Sequence, residues 1–275
     1  MRPESKPARP GASFFAARRC SPVNPRCQPP RRRLSSSVPK PKCIEFTDGT
    51  VIPILYEDRS VMAVDKPVGW MLVPFSWDRT SRNLQLAITS SMLGGDFWAR
   101  SRGLKFLKNI HRLDAETTGI LLMAKSQGAL HTFSELFESR NMHKTYLAVA
   151  RGNPKEDEWT CTASLGPDPQ SAHGRHRVDP QGKDAETHFK VLERRNGLAL
   201  IEGRPVTGRT HQIRLHLAHA GLPIVGDTMY GTPEDRTRKT ALMGLRAVGL
   251  EYMDPFIRRQ VKIRAPAEDF IAQFI

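Results

Sequence analysis

The stretch HRLDAETTGILLMA, residues 111–124, places one His, one Arg, one Asp, one Glu and two Thr at the mouth of an unbroken apolar run. The run from 119 to 124 reads as a buried strand, short and apolar on both faces. The polar residues ahead of it form a loop, and Asp114 sits in that loop with two readings open. An Asp here can cap a turn through backbone N–H groups, or it can be a reactive carboxylate held at the end of a strand. Its neighbours suit the second reading as well as the first. Arg112 carries a fork matched to phosphate or carboxylate, Thr117 and Thr118 can hold the loop, and Gly119 permits a close backbone approach. A metal site is not indicated, because HRLD offers only His111 and Asp114 and no HExxH pattern follows.

Working upstream, residues 51–56 and 60–64 are β-rich runs split by the turn-like EDR, and KPVGWMLVP (66–74) reads as a shaped loop. Residues 84–98 are loosely helical, with Gly94-Gly95 as an interruption. Downstream, Leu130, Phe133, Leu136 and Phe137 recur at three- and four-residue steps, which predicts an amphipathic helix starting near Ser126. KTYLAVARG (144–152) reads as a strand. Residues 153–184 are polar and rich in Gly, Pro and His, an extended hairpin or mobile insertion. Residues 187–192 and 198–201 flank Asn196-Gly197, a tight-turn signal. The loop RPVTGRT then enters THQIRLHLAHAG, where Ile213, Leu217 and Ala220 share a helical face and Gly221 closes the helix. No internal repeat and no βαβ rhythm is visible, so the expected class is mixed α+β.

Charge divides the chain unevenly. Residues 1–43 hold eleven Lys or Arg, a single acid (Glu4) and nine of the 21 prolines, while the remainder holds 31 basic and 27 acidic residues. The formal charge of +14 is therefore mostly a property of the first 43 residues. These residues read as a disordered basic extension, with residues 44–275 as one folded domain. A nucleic-acid-binding face on that domain has to be a local patch. The four cysteines, 20, 27, 43 and 161, form no CxxC pair, which argues against zinc knuckles and a disulfide framework. The expected setting is a reducing one, the cytoplasm. The Arg-rich, acid-poor start leaves a mitochondrial presequence as the alternative, against which its prolines would repeatedly break a helix. No apolar run approaches the 18 residues of a membrane span, so no membrane association is expected.

A second polar cluster lies at 207–221, where His211, Gln212, Arg214, His216 and His219 crowd one loop–helix junction. Arg209 and Arg214 bracket the helix start and would suit a phosphate or carboxylate. The His spacing makes a poor metal set, and Tyr146 taken alone reads as half-buried packing.

Taken together, these stretches resemble the RluA-like pseudouridine synthases, which modify uridines of large-subunit ribosomal RNA and of transfer RNA. HRLDAETTG resembles that family's active-site motif, with Thr118 at a place usually held by Ser. KPVGWMLVP resembles its first loop, HKTYLAVARG (143–152) its tyrosine-bearing strand, and RPVTGRTHQIRLHLAHAGLPIVGDTMYG (204–231) its longest motif. LRAVGLEYMDP (245–255) resembles the closing segment, with Arg246 where a His is common. The likeness covers about residues 50–265. It implies the family's catalytic fold, a largely antiparallel central sheet with flanking helices and loops. It implies Asp114 as the catalytic carboxylate, Arg214 as its ion-pair partner, and Tyr146 as a wall against the uracil that takes part in proton removal. Arg112 would contact RNA and fill the space of a flipped base. Lys66, His111, Thr118, Arg209, His211 and Gln212 fall in the same motifs and are implied as RNA- or substrate-binding. The implied reaction conserves atoms and calls for neither cofactor nor metal. The implied partner is structured RNA, ribosomal or transfer, with a monomeric enzyme and no obligate protein partner. Two other readings stay in view. One is an RNA-binding or ribosome-assembly protein on the same scaffold, which would show an eroded site. The other is a metal-dependent hydrolase, which would need a coherent ligand set.

Overall fold

The computed structural model describes residues 39–72, 82–171, 174–237 and 242–275. The expectations for residues 1–38 and for the end of the first loop lie outside them. The described chain enters a sheet at Cys43–Glu45 (β1), which pairs antiparallel with Val51–Glu57 (β2) and through it with Val61–Lys66 (β3). Cys43 is thus already a strand residue, and the Lys42 carbonyl accepts from Ile54 N–H at 2.9 Å. The folded part therefore starts a few residues before the expected boundary at 44.

Two helices follow, Leu84–Leu93 (α1) and Phe97–Arg100 (α2), separated at Gly94-Gly95 as their sequence implies. The Asn83 side chain caps α1 by accepting from Leu86 N–H. Lys108–Asn109 (β4) leads to the polar loop and then to Thr118–Ala124 (β5), every residue of which is buried. Ser126 caps Gln127–Glu138 (α3), the expected amphipathic helix. Next come His143–Arg151 (β6), Glu158–Cys161 (β7), Leu165–Pro167 (β8), His176–Val178 (β9), Thr187–Arg195 (β10) and Leu198–Pro205 (β11). Asn196 and Gly197 both take positive φ between β10 and β11, 53° and 74°, which the Asn-Gly pair tolerates and a tight hairpin requires. Gln212–His219 (α4), Pro233–Thr237 (α5), Leu245–Met253 (β12), Gln260–Arg264 (β13) and Glu268–Ala272 (α6) complete the chain.

The main sheet has the order β1-β2-β3-β5-β12-β6-β11-β10-β7, with β4 on β5 and β13 on β12. All its pairs are antiparallel except β5 with β12, which run parallel through Thr118–Arg246 and Gly119–Ala247. The segment 153–184 is more regular than its polar composition suggests. β7 is an edge strand of the main sheet, paired with β10 from Thr187–Cys161 to Lys190–Glu158, and only β8 and β9 form a separate hairpin. Side chains alternate across β6. Ala148 and Ala150 pack with Ile213 and Leu217 of α4, while Leu147 and Val149 pack with Phe270 of α6. A larger apolar cluster joins β2, β3, β5 and β12 to α1, α2 and α3. Among the described residues, no helix is long and apolar enough to cross a membrane.

Candidate active site

Three chain segments meet at the N-terminal end of β5. The first is the polar loop itself, bound from below by the segment after β3. Lys66, fully buried, donates its ammonium protons to the carbonyls of Pro67 (3.1 Å), Ala115 (2.9 Å) and Thr117 (2.9 Å). Gly69 N–H adds a bond to Ala115 O at 2.8 Å, and Thr117 N–H closes the turn on Asp114 O. Burial pushes the Lys66 ammonium down to about 8, against the pull of Glu116 and Asp114. The expected RNA-binding lysine therefore has its protons occupied, and its role is to set the loop that carries Asp114.

Other expected contact residues are likewise turned inward. His111 accepts Leu122 N–H at its Nε2 (3.1 Å) and stacks on Phe137, with ring centroids 4.7 Å apart. Burial, helped by the charge of Lys144, pushes it down to about 4, so it stays neutral. Thr118 is buried, with its hydroxyl unpartnered among the described residues. Gln212 is buried and uses both ends of its amide. Its oxygen accepts from Thr207 Oγ1 (2.7 Å) and Arg209 N–H (2.9 Å), and its nitrogen donates to Glu186 O (2.9 Å) and Thr187 Oγ1 (3.0 Å). Lys66, His111 and Gln212 thus spend polar atoms on bonds within the protein that shape the loop and the start of the helix around the site, whereas the Thr118 hydroxyl has no such bond among the described residues. Arg112 is exposed, and its guanidinium makes no hydrogen bond or ion pair among the described residues. Arg209 is half-buried, its Nε–H given to Asp184 O.

The second segment is α4. Arg214, only 2 % exposed, donates hydrogen bonds from it to two carboxylates and lies 3.8 Å from a third, Glu116 Oε2. Its Nε and Nη2 donate to Asp227 Oδ2 (2.7 Å) and Oδ1 (2.8 Å), and its Nη1 donates to Asp114 Oδ2 (2.9 Å). Burial alone would lower the guanidinium pKa, but the two carboxylates outweigh it and raise it well above the ordinary value. Asp227 is held low despite its burial, by Arg214 and by the N–H groups of Tyr230 and Met229. Asp114 is thereby fixed through Oδ2, while Oδ1 makes no hydrogen bond among the described residues and faces His211 Nε2 at 3.8 Å.

The third segment is β6. Tyr146 lies on the same strand face as Ala148, the face covered by α4. Burial and then the Asp114 charge raise its phenol pKa, so it stands beside Asp114 as a neutral group. Lys144 shares that face two residues earlier. Its Nζ donates to Thr207 O at 3.0 Å, and burial holds it down to about 8. His216 is unsuited to metal binding, because its two nitrogens engage Thr187 Oγ1 and Ala163 O at 3.0 Å each. Among the described residues no group of three His, Cys, Asp or Glu converges on one point.

An Asp aimed by a buried Arg, beside a strand Tyr at the mouth of a mixed sheet, is the arrangement the sequence motifs imply. Residues 60–219 match the family described as RNA pseudouridylate synthase. The chain belongs to that family. Among similar members, the ribosomal large subunit pseudouridine synthase C of Escherichia coli O157:H7 is 36% identical over 223 residues, covering 78% of this chain and 66% of that protein. The chain thus spans a little under two thirds of that relative's length. The uncharacterized RNA pseudouridine synthase YlyB of Bacillus subtilis is 31% identical over 251 residues, 90% of this chain and 79% of that protein. The structure resembles human RNA Pseudouridylate Synthase Domain Containing 1 with a TM-score of 0.62 at 27% identity, over 78% of this chain and 83% of that one. The fold is also that of human RNA Pseudouridylate Synthase Domain Containing 4, TM-score 0.63 at 23% identity.

Within this member of the family, sequence reading missed Asp227 and Tyr230, although both stand in the quoted GDTMYG. Asp227 completes the clamp on Arg214. The Tyr230 ring centroid lies 5.2 Å from the guanidinium carbons of both Arg214 and Arg175. Their signal was the run of polar residues ending the longest motif.

Proposed function

We propose that this chain isomerises uridine to pseudouridine in structured RNA, with Asp114 as the catalytic carboxylate. The observation that carries the reading is the half-tied state of Asp114. Arg214 secures one oxygen, and the other makes no hydrogen bond among the described residues, at a side-chain exposure of 25%. The reaction breaks the bond from the ribose C1′ to N1 and joins C1′ to C5. The C5 proton is lost to solvent, and N1 gains one. A carboxylate can serve by covalent attack or by removing a sugar proton, and either route needs the ionised, aimed oxygen that Arg214 provides. Extrusion of the uridine from its stack costs a few kcal/mol, recovered in part by packing against an aromatic wall. Tyr146 supplies that wall, and Arg112 is the exposed cation placed to take the vacated space or a phosphate.

The substrate we favour is large-subunit ribosomal RNA. The support is the name of the similar Escherichia coli protein, with transfer RNA as the other RNA class of the resemblance. We place the enzyme in the cytoplasm as a monomer needing no protein partner. Delivery of a fluorescent protein to mitochondria by residues 1–43 would move that assignment.

The test uses bulk RNA labelled with 5-tritiated uridine, taken from cells lacking the gene. The purified protein should release tritium from it, and Asp114→Asn should release none while binding RNA as before. Pseudouridine mapping should place the new residue in large-subunit RNA. Full release by Asp114→Asn would sink the assignment.

A further inference from the structure

Asp114 Oδ1 faces a histidine held in an uncommon backbone conformation. His211 has φ 56°, in the left-handed region that costs a non-glycine residue energy and that clusters at working sites. The turn aims its ring between Asp114 on one side and Tyr230 on the other. His211 Nδ1 lies 2.9 Å from the Tyr230 hydroxyl, and that hydroxyl accepts His176 N–H, also at 2.9 Å. The single phenolic proton then has His211 Nδ1 as its acceptor within reach. A ring accepting at Nδ1 carries its proton on Nε2, which is the nitrogen 3.8 Å from Asp114 Oδ1. Tyr230 itself is fixed at both ends. Its N–H donates to Asp227 Oδ1 at 2.9 Å, and its ring lies against Arg214 and Arg175. His176 begins β9, so this chain of bonds starts in the β8–β9 hairpin.

We propose that Tyr230 and His211 are positioning residues for Asp114, presenting an N–H dipole to its free oxygen and tying its alignment to the β8–β9 hairpin. The proposal rests on the reading of Asp114 as the reacting group. The two oxygens of that carboxylate are thereby made unequal. Oδ2 is bound by the cation, and Oδ1 is oriented by a neutral donor too distant to quench it. Burial holds His211 below its ordinary value, which keeps it neutral although Asp114 pulls the other way.

Four variants test this in single-turnover tritium release with saturating enzyme, each with RNA affinity and melting temperature measured alongside. Tyr230→Phe keeps the ring against both arginines and removes only the proton. It should slow the step about 10-fold, the size of one hydrogen bond's worth of alignment, with Kd unchanged. His211→Phe should slow it further, and His211→Gln, which restores an N–H donor, should recover most of the rate. Wild-type rates in Tyr230→Phe and His211→Phe would overturn the proposal. So would a loss confined to Kd, or equal losses in His211→Phe and His211→Gln, which would mean packing alone. Asp114→Asn separates the two levels. If it is inactive while these variants run at full rate, only the positioning role falls; if it is active, both fall.

Discussion

Arg214 divides one guanidinium between a carboxylate that is exposed enough to react and one that is not. Asp227 is 1% exposed, so taking Arg214 away strands its charge, a loss of about 3–5 kcal/mol for a broken buried pair. A lysine would return the charge without the planar fork. Arg214→Lys should therefore melt at lower temperature, and it should release tritium at least about 100-fold more slowly because Asp114 loses its aim. Calorimetry and single-turnover release on the same preparation check both. His111 makes a separate prediction. Its folded form is pushed down to about 4 from an ordinary 6.5, mainly by burial. Between those values the unfolded chain binds the proton and the native chain does not, so stability rises with pH across that window and is lost as pH falls through it. The full effect is about 3 kcal/mol. In His111→Gln, which keeps an acceptor for Leu122 N–H, the unfolding free energy between pH 4 and 6.5 should rise less steeply, by up to one proton. An unchanged slope would place the titration elsewhere.

At the scale of elements, the site depends on how closely β5 and β12 approach. Gly119 has φ 105°, and a Cβ there would land on the Ala247 backbone across the parallel pair. Gly119→Ala therefore has to push β5 and β12 apart or rotate a strained residue, a loss of about 1–3 kcal/mol or more. Denaturant unfolding should show it, with activity falling because Asp114 loses its platform. The requirement for a close approach at Gly119 was readable from its place between a polar loop and an apolar run. So were α3, from its three- and four-residue steps, and the β10–β11 turn, from Asn-Gly. Periodicity and turn chemistry are local, and a single sequence carries them. What it did not carry was pairing across distance. Arg214 and Asp227 are 13 positions apart and Lys66 meets Ala115 over 49, and no local pattern marks either. Hence Lys66 was expected at the RNA, whereas it holds three carbonyls. Hence too the polar 153–184 segment read as an extended hairpin or a mobile insertion: β8 and β9 do form a hairpin, but β7 joins the main sheet and β9 carries a bond toward the site.

The whole molecule poses an electrostatic question. Residues 1–38 contain nine of the 42 basic residues against one acid, leaving 33 basic and 27 acidic residues for the rest. The cores described above are assembled within 39–275, and the first strand begins at Cys43. Truncation after residue 43 would cut into β1, whose Cys43 pairs with Pro53. Truncation after residue 38 spares it, and the 39–275 protein should keep its melting temperature. Binding should change in a particular way, because cations that neutralise phosphates act through counterion release. Each phosphate contact contributes about 0.7–0.9 to the slope of log affinity against log salt. The truncated protein should bind RNA more weakly at low salt, with a slope shallower by more than one, and should approach the full chain at high salt. Its single-turnover rate at saturating enzyme should be unchanged, since Asp114, Arg214 and Tyr146 all lie in the retained segment. Fluorescence anisotropy from 50 to 400 mM salt separates the possibilities: parallel lines would mean that the basic segment does not touch the RNA, whatever its charge.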